Sequence, residues 1–158
     1  LPVMSVSIAA TRDGSVVAGA VVDILGRDVF SAARGQGARL DGSSISPSTA
    51  TALADSLIGT GFSYTADGRA AEAEYLARVL PAGRDIRCFG SAALNLCWVA
   101  CGRLDGFYQR NMQPWDFAAG EIIAAEAHAR ISRPRAENRQ LMVASWRGIH
   151  DELVRLVS

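Results

Sequence analysis

The sequence predicts an α/β protein in which an antiparallel meander is followed by a mixed sheet of alternating strands and helices. Two observations support this fold class. Residues 1–55 contain short β-branched and apolar runs separated by turn residues, a pattern typical of antiparallel strands. From residue 56 onward, strand-like runs alternate with segments whose apolar residues recur at helical spacing. We therefore expect an antiparallel sheet layer over residues 1–55 and an α/β portion over residues 56–158.

Turn residues separate the predicted strands of the first part. Asp13-Gly14 and Asp41-Gly42 favour tight turns, and Pro47 interrupts a sheet ladder. The pattern predicts strands over residues 3–10, 16–22 and 28–32, and a hairpin of residues 38–40 with 44–46. A sheet of these few short strands must bury one face against another layer. The α/β portion of residues 56–158 can cover only part of that face. We expect an uncovered apolar face and an open strand edge, both of which promote association.

In the second part, helix start and stop signals delimit the elements. Ser91 is a plausible N-cap, Gly102 follows a helix end, and Pro114 precedes a helix. Strands are predicted over residues 57–60, 85–88, 105–108 and 141–144. Helices are predicted over residues 69–80, 92–101, 115–127 and 147–157. Residues 132–135 are expected to form an exposed loop.

Composition argues against several classes of partner. The chain has 158 residues, 49% of them hydrophobic and 20% charged, which is typical of one folded globular unit. Its 16 basic and 16 acidic residues give a net charge of zero, so we expect neither a nucleic-acid nor a membrane partner. All basic residues are Arg and Ala is abundant, which indicates the codon usage of a GC-rich bacterium such as an actinobacterium. Because the sequence begins Leu1-Pro2 in a strand-like pattern, we expect it to be part of a longer protein.

The cysteines and histidines give weak signals. Three cysteines without a disulfide framework suit a reducing, cytoplasmic location. Cys97 and Cys101 could share a helix face as half of a metal site, but their apolar neighbours favour small buried hydrophobic residues. His128 is expected to interact with carbonyls at a helix end, and His150 to lie in a polar helix. No serine-hydrolase or P-loop motif is present.

The segment from Pro114 to Gly120 is the strongest candidate for chemistry. A carboxylate at a helix start, here Asp116, usually caps free N–H groups and complements the helix dipole. The small residues that follow predict close packing of this helix, with the bulky Trp115 fixing its entry angle. Asp116 could then be held rigidly toward a cation.

A second candidate is the turn from a strand into a helix at Gly90-Ser91-Ala92. Exposed N–H groups at such a turn favour anionic or hydroxyl-rich ligands, although a capped helix start alone accounts for the same residues. In β/α folds, ligands collect at the carboxyl ends of strands, where this turn is predicted to lie.

These motifs resemble the bacterial members of the inositol monophosphatase family. The resemblance covers almost the whole chain in order and includes a C-terminal Trp-Asp-x-Ala-Ala-Gly box. The matching segments are Val16–Val22, Phe30–Ala32, Gly35–Ala38, Asp85–Arg87, Gly90–Ala93, Val99–Asp105, Pro114–Gly120 and Glu126-Ala127. The fold implied is the α+β layered sandwich of that family, in which residues 1–55 are the remainder of an N-terminal sheet layer and residues 56–158 complete the substrate and metal site.

The resemblance implies a Mg²⁺-dependent, Li⁺-sensitive phosphomonoesterase that acts on inositol monophosphates or related small phosphorylated polyols. Asp116 would bind the magnesium ion and touch the substrate. Gly90, Ser91 and Ala92 would contact the inositol ring, and Gln109 would occupy the sugar-facing position. A homodimer is also implied.

Three departures from the family pattern bear on activity. The family commonly has Glu at the position of Gln109, so the neutral amide here is expected to weaken or change sugar recognition. Ala127-His128-Ala129 stands where Ala-Gly-Gly is usual. The upstream Gly-Glu-Glu and Asp-Pro-Ile-Asp-Gly-Thr segments, which supply the other metal ligands, do not occur in this sequence. One carboxylate cannot assemble a magnesium site, so this polypeptide alone is predicted to be inactive.

Two alternatives remain open at this point. The same mechanism could act on histidinol phosphate, fructose 1,6-bisphosphate or a 3′-phosphonucleotide. A truncated family member could instead serve as a non-catalytic binding module, as some bacterial relatives act on the transcription machinery.

Overall fold

The computed structural model describes residues 3–136 and 139–158. In the first part of the chain the strands are β1 Ser5–Arg12, β2 Ser15–Asp23, β3 Val29–Ala33, β4 Ala38–Leu40 and β5 Ser43–Ser44. The later strands are β6 Leu57–Thr60, β7 Asp85–Cys88, β8 Gly106–Arg110, β9 Arg130–Ser132, β10 Arg135–Ala136 and β11 Arg139–Ser145. The helices are α1 Ala66–Val79, α2 Ala92–Ala100, α3 Pro114–Glu126 and α4 Arg147–Val157, with a 3-10 turn at Leu53–Asp55.

The strands form two sheets. The first is an antiparallel meander in the order β1-β2-β3-β4-β5. The second has the order β10-β11-β8-β6-β7, with β9 paired to β11. Strand β6 runs parallel to β7 and β8, whereas β11 is antiparallel to β8. The predicted fold class, an antiparallel meander followed by a mixed α/β sheet, is confirmed.

Two cores hold the layers together. The larger core joins Phe30 of the first sheet, Leu96 of α2, Ile123 of α3 and Phe107 of the second sheet. On the opposite face of the second sheet, Tyr108 belongs to a smaller core with side chains of α1 and α4. Successive β8 residues thus serve different cores, as the two-residue period of a strand requires. Helices α2 and α3 therefore pack between the sheets, and α1 and α4 cover the far face.

Helix α3 approaches both of its neighbours closely. A Cβ on Gly19 of β2 would lie 2.8 Å from Ile122 Cγ2 and 2.9 Å from the Cα of Ala119. On the other side of the helix, a Cβ on Gly120 would lie 2.8 Å from the Cβ of Leu96. The prediction of a closely packed helix with small contact residues agrees with this geometry. The role expected of Trp115 is wrong, because its side chain is 73% exposed and packs into neither core.

The carboxylate of Glu126 ties the end of α3 to the first sheet. Its Oε1 accepts a hydrogen bond from the N–H of Gly35 and its Oε2 accepts one from Gly37, both at 2.9 Å. These glycines have a φ of +73°, which turns both N–H groups toward one side of the β3–β4 connection. The bonds lower the pKa of Glu126. This contact spans about ninety residues of sequence and attaches the β3–β4 turn to α3.

The outer face of the first sheet carries exposed apolar side chains. Ile8 is 65% exposed and Val6 48%, and Val29 lies in the same exposed layer. The alternation along β1 and β3 places these residues opposite the face that packs on α3. The uncovered apolar face expected from the sequence is present among the residues described.

Several element boundaries differ from the prediction for local reasons. Helix α1 begins at Ala66 and not at residue 69, because Thr65 Oγ1 accepts a hydrogen bond from Gly68 N at 3.2 Å and caps the helix earlier. The segment 132–135 is not wholly a loop, since Ser132 ends β9 and Arg135 begins β10, both of which pair with β11. Short edge strands of this kind have no periodicity that sequence patterns can detect.

His150 lies in a helix, α4, as predicted, but it is completely buried, which its polar sequence neighbours did not indicate. Its Nε2 and Nδ1 lie 2.8 Å from the hydroxyls of Ser132 and Ser145, so the ring connects β9, β11 and α4. Burial, aided by the nearby charge of Arg130, lowers the pKa of His150 from 6.5 to about 4. The neutral imidazole is therefore the form that the fold accommodates. His128 lies past the end of α3, where its backbone N–H donates to the Ala125 carbonyl; an interaction of its side chain with the helix end stays a prediction.

Replacing Gly19→Ala is expected to destabilise the protein by about 2 kcal/mol, because the added methyl would force β2 and α3 apart. Urea denaturation measures the change. Gly83→Ala is the matched control, since a Cβ there meets its nearest neighbour at an ordinary 3.5 Å. Equal stability of the two variants would contradict the tight contact.

The free energy of unfolding is expected to fall as the pH drops from 6.5 toward 4, because protonation of His150 favours the unfolded chain. The loss begins near the unfolded pKa of 6.5 and reaches on the order of 3 kcal/mol near the folded pKa. Denaturation at a series of pH values measures it. A His150→Gln variant should be less stable at neutral pH but lose much of this slope, and an unchanged slope would assign the effect to carboxylates.

Candidate functional site

A polar cavity of about 620 Å³ opens at the carboxyl ends of the three parallel strands β6, β7 and β8. Parallel strands end at one edge of a sheet, so the segments that follow them converge there. The cavity is lined by all five predicted site residues, Gly90, Ser91, Ala92, Gln109 and Asp116. The structure thus brings them together, although their roles stay predictions.

A second hollow, of about 460 Å³, lies on the outer face of the first sheet. Its lining is mostly apolar and includes Ile8, Ala18 and Ala20, with Arg39 as its charged member. It offers no carboxylate, histidine or thiol. The polar cavity is therefore the better candidate for chemistry.

Asp116 stands in the first turn of α3, with Pro114 at the first helical position. Its Oδ2 accepts a hydrogen bond from the N–H of Gln113 at 2.8 Å, which caps the helix. That bond occupies one acceptor position, and a carboxylate has about four. Capping and ligand binding are thus compatible, and the cap itself fixes the direction of the side chain.

The turn at Gly90 leads from β7 into α2. Gly90 has a φ of +90°, a conformation that other residues rarely adopt. Ser91 Oγ accepts a hydrogen bond from Leu94 N at 3.3 Å and so caps α2. The same hydroxyl lies 3.1 Å from Ser5 Oγ on β1, which ties the rim of the cavity to the first sheet. A ligand would meet the backbone N–H groups of this turn more readily than the engaged hydroxyl.

Gln109 is on β8, and its half-buried side chain faces the cavity. Its amide lies against Gly61, where a Cβ would come within 2.3 Å of Gln109 Oε1. An amide both donates and accepts hydrogen bonds, so it can pair with either atom of a hydroxyl group.

One wall of this cavity consists of residues to which the sequence motifs assign no role. Residues 61–64, which lie between the strand predicted over 57–60 and the helix predicted over 69–80, line this wall together with the exposed thiol of Cys88. Their position directly after the parallel strand β6 is the signal that could have identified them.

The residues that line the cavity fit a magnesium site only in part. Asp116 is the carboxylate that they offer, and no group of three or more His, Cys, Asp or Glu side chains capable of holding a metal occurs within residues 3–136 and 139–158. Mg²⁺ takes oxygen ligands, commonly one or two carboxylates with phosphate and water. Asp116 is thus chemically suited to supply one ligand, but the described part of the chain does not assemble the set.

The cysteine pair does not provide an alternative metal site. Cys97 is fully buried, and its burial raises the pKa of the thiol well above the ordinary value. Burial likewise raises the pKa of Cys101. Because metals bind the thiolate, both shifts oppose ligation. Cys97 is thus a small buried hydrophobic residue, as predicted, and Cys101 is partly buried.

A profile of the inositol monophosphatase family matches residues 1–157. The chain belongs to the inositol monophosphatase family. It is 49% identical over 161 aligned residues to an inositol-1-monophosphatase SuhB of Mycobacterium tuberculosis, an alignment that covers 98% of this chain and 56% of that protein. The chain thus spans about half the length of the curated relatives that it matches.

Solved structures of the inositol monophosphatase family share the architecture. Mycobacterium tuberculosis SuhB superposes with a TM-score of 0.89 at 46% identity, over 99% of this chain and 64% of that chain. The extragenic suppressor protein suhB of Bartonella henselae gives 0.92 at 32% identity, over 99% and 62%. The resemblance to actinobacterial members of the family is confirmed. Across the described residues, no helix has the length and apolar character that crossing a membrane requires.

The two Asp116 variants are expected to differ in stability. Asp116→Asn keeps an acceptor oxygen for Gln113 N and should unfold at nearly the wild-type denaturant concentration. Asp116→Ala loses the cap and should be about 1 kcal/mol less stable. Chemical denaturation compares them, and equal losses would show that the cap contributes nothing.

Proposed function

We propose that the protein containing this chain is a Mg²⁺-dependent phosphomonoesterase that hydrolyses inositol monophosphate or a related small sugar phosphate. The observation that carries the proposal is the convergence of Asp116, Gly90–Ala92 and Gln109 on one polar cavity in a chain of the inositol monophosphatase family. A cavity of about 620 Å³ is large enough for a phosphorylated six-carbon polyol.

The residues of this chain would bind and orient the polyol. Gln109 would donate to or accept from ring hydroxyls, and the backbone N–H groups at the start of α2 would face an oxygen-rich ligand. The positive end of the α2 dipole supports this placement. Holding the ring in one orientation fixes the phosphate ester relative to Asp116, which is how positioning lowers the barrier.

Asp116 would bind the metal through oxygen while its cap to Gln113 keeps it oriented. Bound Mg²⁺ would supply activation of a water molecule and neutralisation of negative charge on the ester. Because the described residues offer a single cavity carboxylate, we also propose that this polypeptide alone is inactive. We also propose that this protein is inhibited by lithium, is located in the cytoplasm and forms a homodimer.

A 3′-phosphonucleotide is the second candidate substrate, and exposed aromatic side chains at the cavity favour it. Trp115 is 73% exposed, and Tyr64, which also lines the cavity, is fully exposed. Exposed aromatic rings can stack on a nucleobase, whereas a polyol needs chiefly hydrogen bonds. No described residue of this cavity favours histidinol phosphate or fructose 1,6-bisphosphate over inositol monophosphate. The non-catalytic binding module remains the outcome expected if no phosphatase activity is found.

Phosphate release from inositol 1-phosphate and from the alternative substrates, with and without Mg²⁺, tests the proposal. Asp116→Asn is expected to reduce Mg²⁺-dependent turnover by about 100-fold or more, because an amide is a poor ligand for a hard cation. The intact mass of the purified protein should be measured in the same preparation, to establish which polypeptide is assayed.

The denaturation midpoint of Asp116→Asn serves as the control for folding. Unchanged turnover in this variant would refute the assigned role of Asp116. A protein of mass well above 16.7 kDa that releases no phosphate from any substrate would refute the phosphatase function.

A further inference from the structure

We infer that Glu72 of α1 is a positioning residue for Gln109, acting through the wall of residues 61–64. The inference rests on the proposed function in one respect, that Gln109 faces the substrate. Glu72 itself does not line the cavity. Its effect would therefore be on the selectivity for the sugar part of the substrate.

Glu72 is an unusual residue for its place in the fold. It lies on the face of α1 that also carries Tyr75 and Val79, and its side chain is only 5% exposed. Burial of a carboxylate is costly unless strong hydrogen bonds compensate it. An apolar residue would satisfy the packing of this face, so the carboxylate calls for another explanation.

Its hydrogen bond supplies that explanation. Glu72 Oε2 accepts from the backbone N–H of Ser63 at 2.7 Å, the distance of a strong charge-assisted bond. Ser63 belongs to the cavity wall. The wall is thus attached to helix α1 through the carboxylate of the buried residue Glu72.

Further contacts from α1 hold the same wall. Arg69 Nη1 donates to the carbonyl of Tyr64 at 2.9 Å and to that of Ser63 at 3.3 Å. A Cβ on Gly68 would lie 2.2 Å from Ser63 Oγ, so helix and wall are in direct contact. Arg69 is exposed, whereas Glu72 is buried and its bond to Ser63 is partly buried, which makes Glu72 the stronger restraint.

The wall in turn contacts the Gln109 amide. A Cβ on Gly61 would lie 2.3 Å from Gln109 Oε1 and 2.5 Å from its Cδ. The amide therefore has no room to move toward the wall, and a shift of the wall would change the orientations open to it. An error of about 1 Å in such a group is enough to weaken recognition substantially. Glu72, the wall and Gln109 form one continuous set of contacts.

The first experiment uses NMR of the isotopically labelled protein to observe the backbone amide of Ser63 and the side-chain amide of Gln109. In Glu72→Ala, hydrogen exchange of the Ser63 amide should accelerate about tenfold or more, and the side-chain amide signal of Gln109 should shift. Gln109→Ala identifies that signal by its loss. Glu72→Gln keeps an acceptor for Ser63 and should resemble the wild type.

Glu74→Ala is the matched control, because Glu74 is on the same helix but exposed. It should change neither signal. An unshifted Gln109 signal in Glu72→Ala would overturn the inference. This measurement needs no enzymatic activity, so it decides the inference even if the proposed function fails.

The second experiment separates positioning from general damage to the enzyme. In the phosphatase assay, Glu72→Ala should raise KM for inositol 1-phosphate about fivefold or more and leave kcat/KM for p-nitrophenyl phosphate within about twofold, because the phenyl ester makes no sugar contacts. Glu72→Gln should restore the wild-type KM. Equal losses with both substrates would indicate a purely structural role and would overturn the inference.

Gly61→Ala tests the same contacts from the other end and covers the case in which Glu72→Ala does not fold. The added methyl should displace the Gln109 amide while the Ser63 amide stays protected by Glu72. The same selective rise in KM is expected. An unshifted Gln109 signal and an unchanged KM in this variant would contradict the contact between wall and amide.

Discussion

Helix α3 lies between the two sheets at a distance that only small contact residues permit. On one side the backbone of β2 at Gly19 meets Ala119, and on the other side Gly120 meets Leu96 of α2. This packing aligns the first sheet with the second, because α3 packs on the first sheet and on α2, and α2 packs in turn on the second sheet. The Glu126 carboxylate at the end of the helix then holds the β3–β4 turn in place. A wider spacing would separate the sheets and lose the shared core.

The position of α3 also determines the cavity. Its first turn, with Asp116, is brought beside the carboxyl ends of the parallel strands, where the α2 turn at Gly90 already lies. The parallel pairing of β6, β7 and β8 is what directs these chain segments to one edge. Capping bonds at Asp116 and Ser91 stabilise the helices and orient the same side chains toward the cavity. Stability and the geometry of the site thus depend on common contacts.

The far side of the second sheet contributes in a less direct way. Helix α1 covers the smaller core, yet its buried Glu72 reaches the cavity wall through Ser63. His150 of α4 lies against the same sheet, where its ring nitrogens hydrogen-bond with the hydroxyls of Ser132 and Ser145. Both side chains are buried polar groups. Both ring nitrogens of His150 have hydroxyl partners, whereas Glu72 has a partner for Oε2 and none among the described residues for Oε1. Glu72 restrains the cavity wall, and His150 ties the edge strand β9 to β11 and α4.

The sequence by itself determined the features that depend on local chemistry. Turn residues such as Asp41-Gly42, the N-cap Ser91 and the helical spacing of apolar residues predicted the meander and the β/α alternation, and the motifs indicated the family. Only the tertiary structure decided which side chains are buried. Glu72 and His150 lie inside, Trp115 lies outside, and Glu126 binds a turn far away in the chain. Burial and such contacts depend on what packs across from a residue, and no local pattern records that.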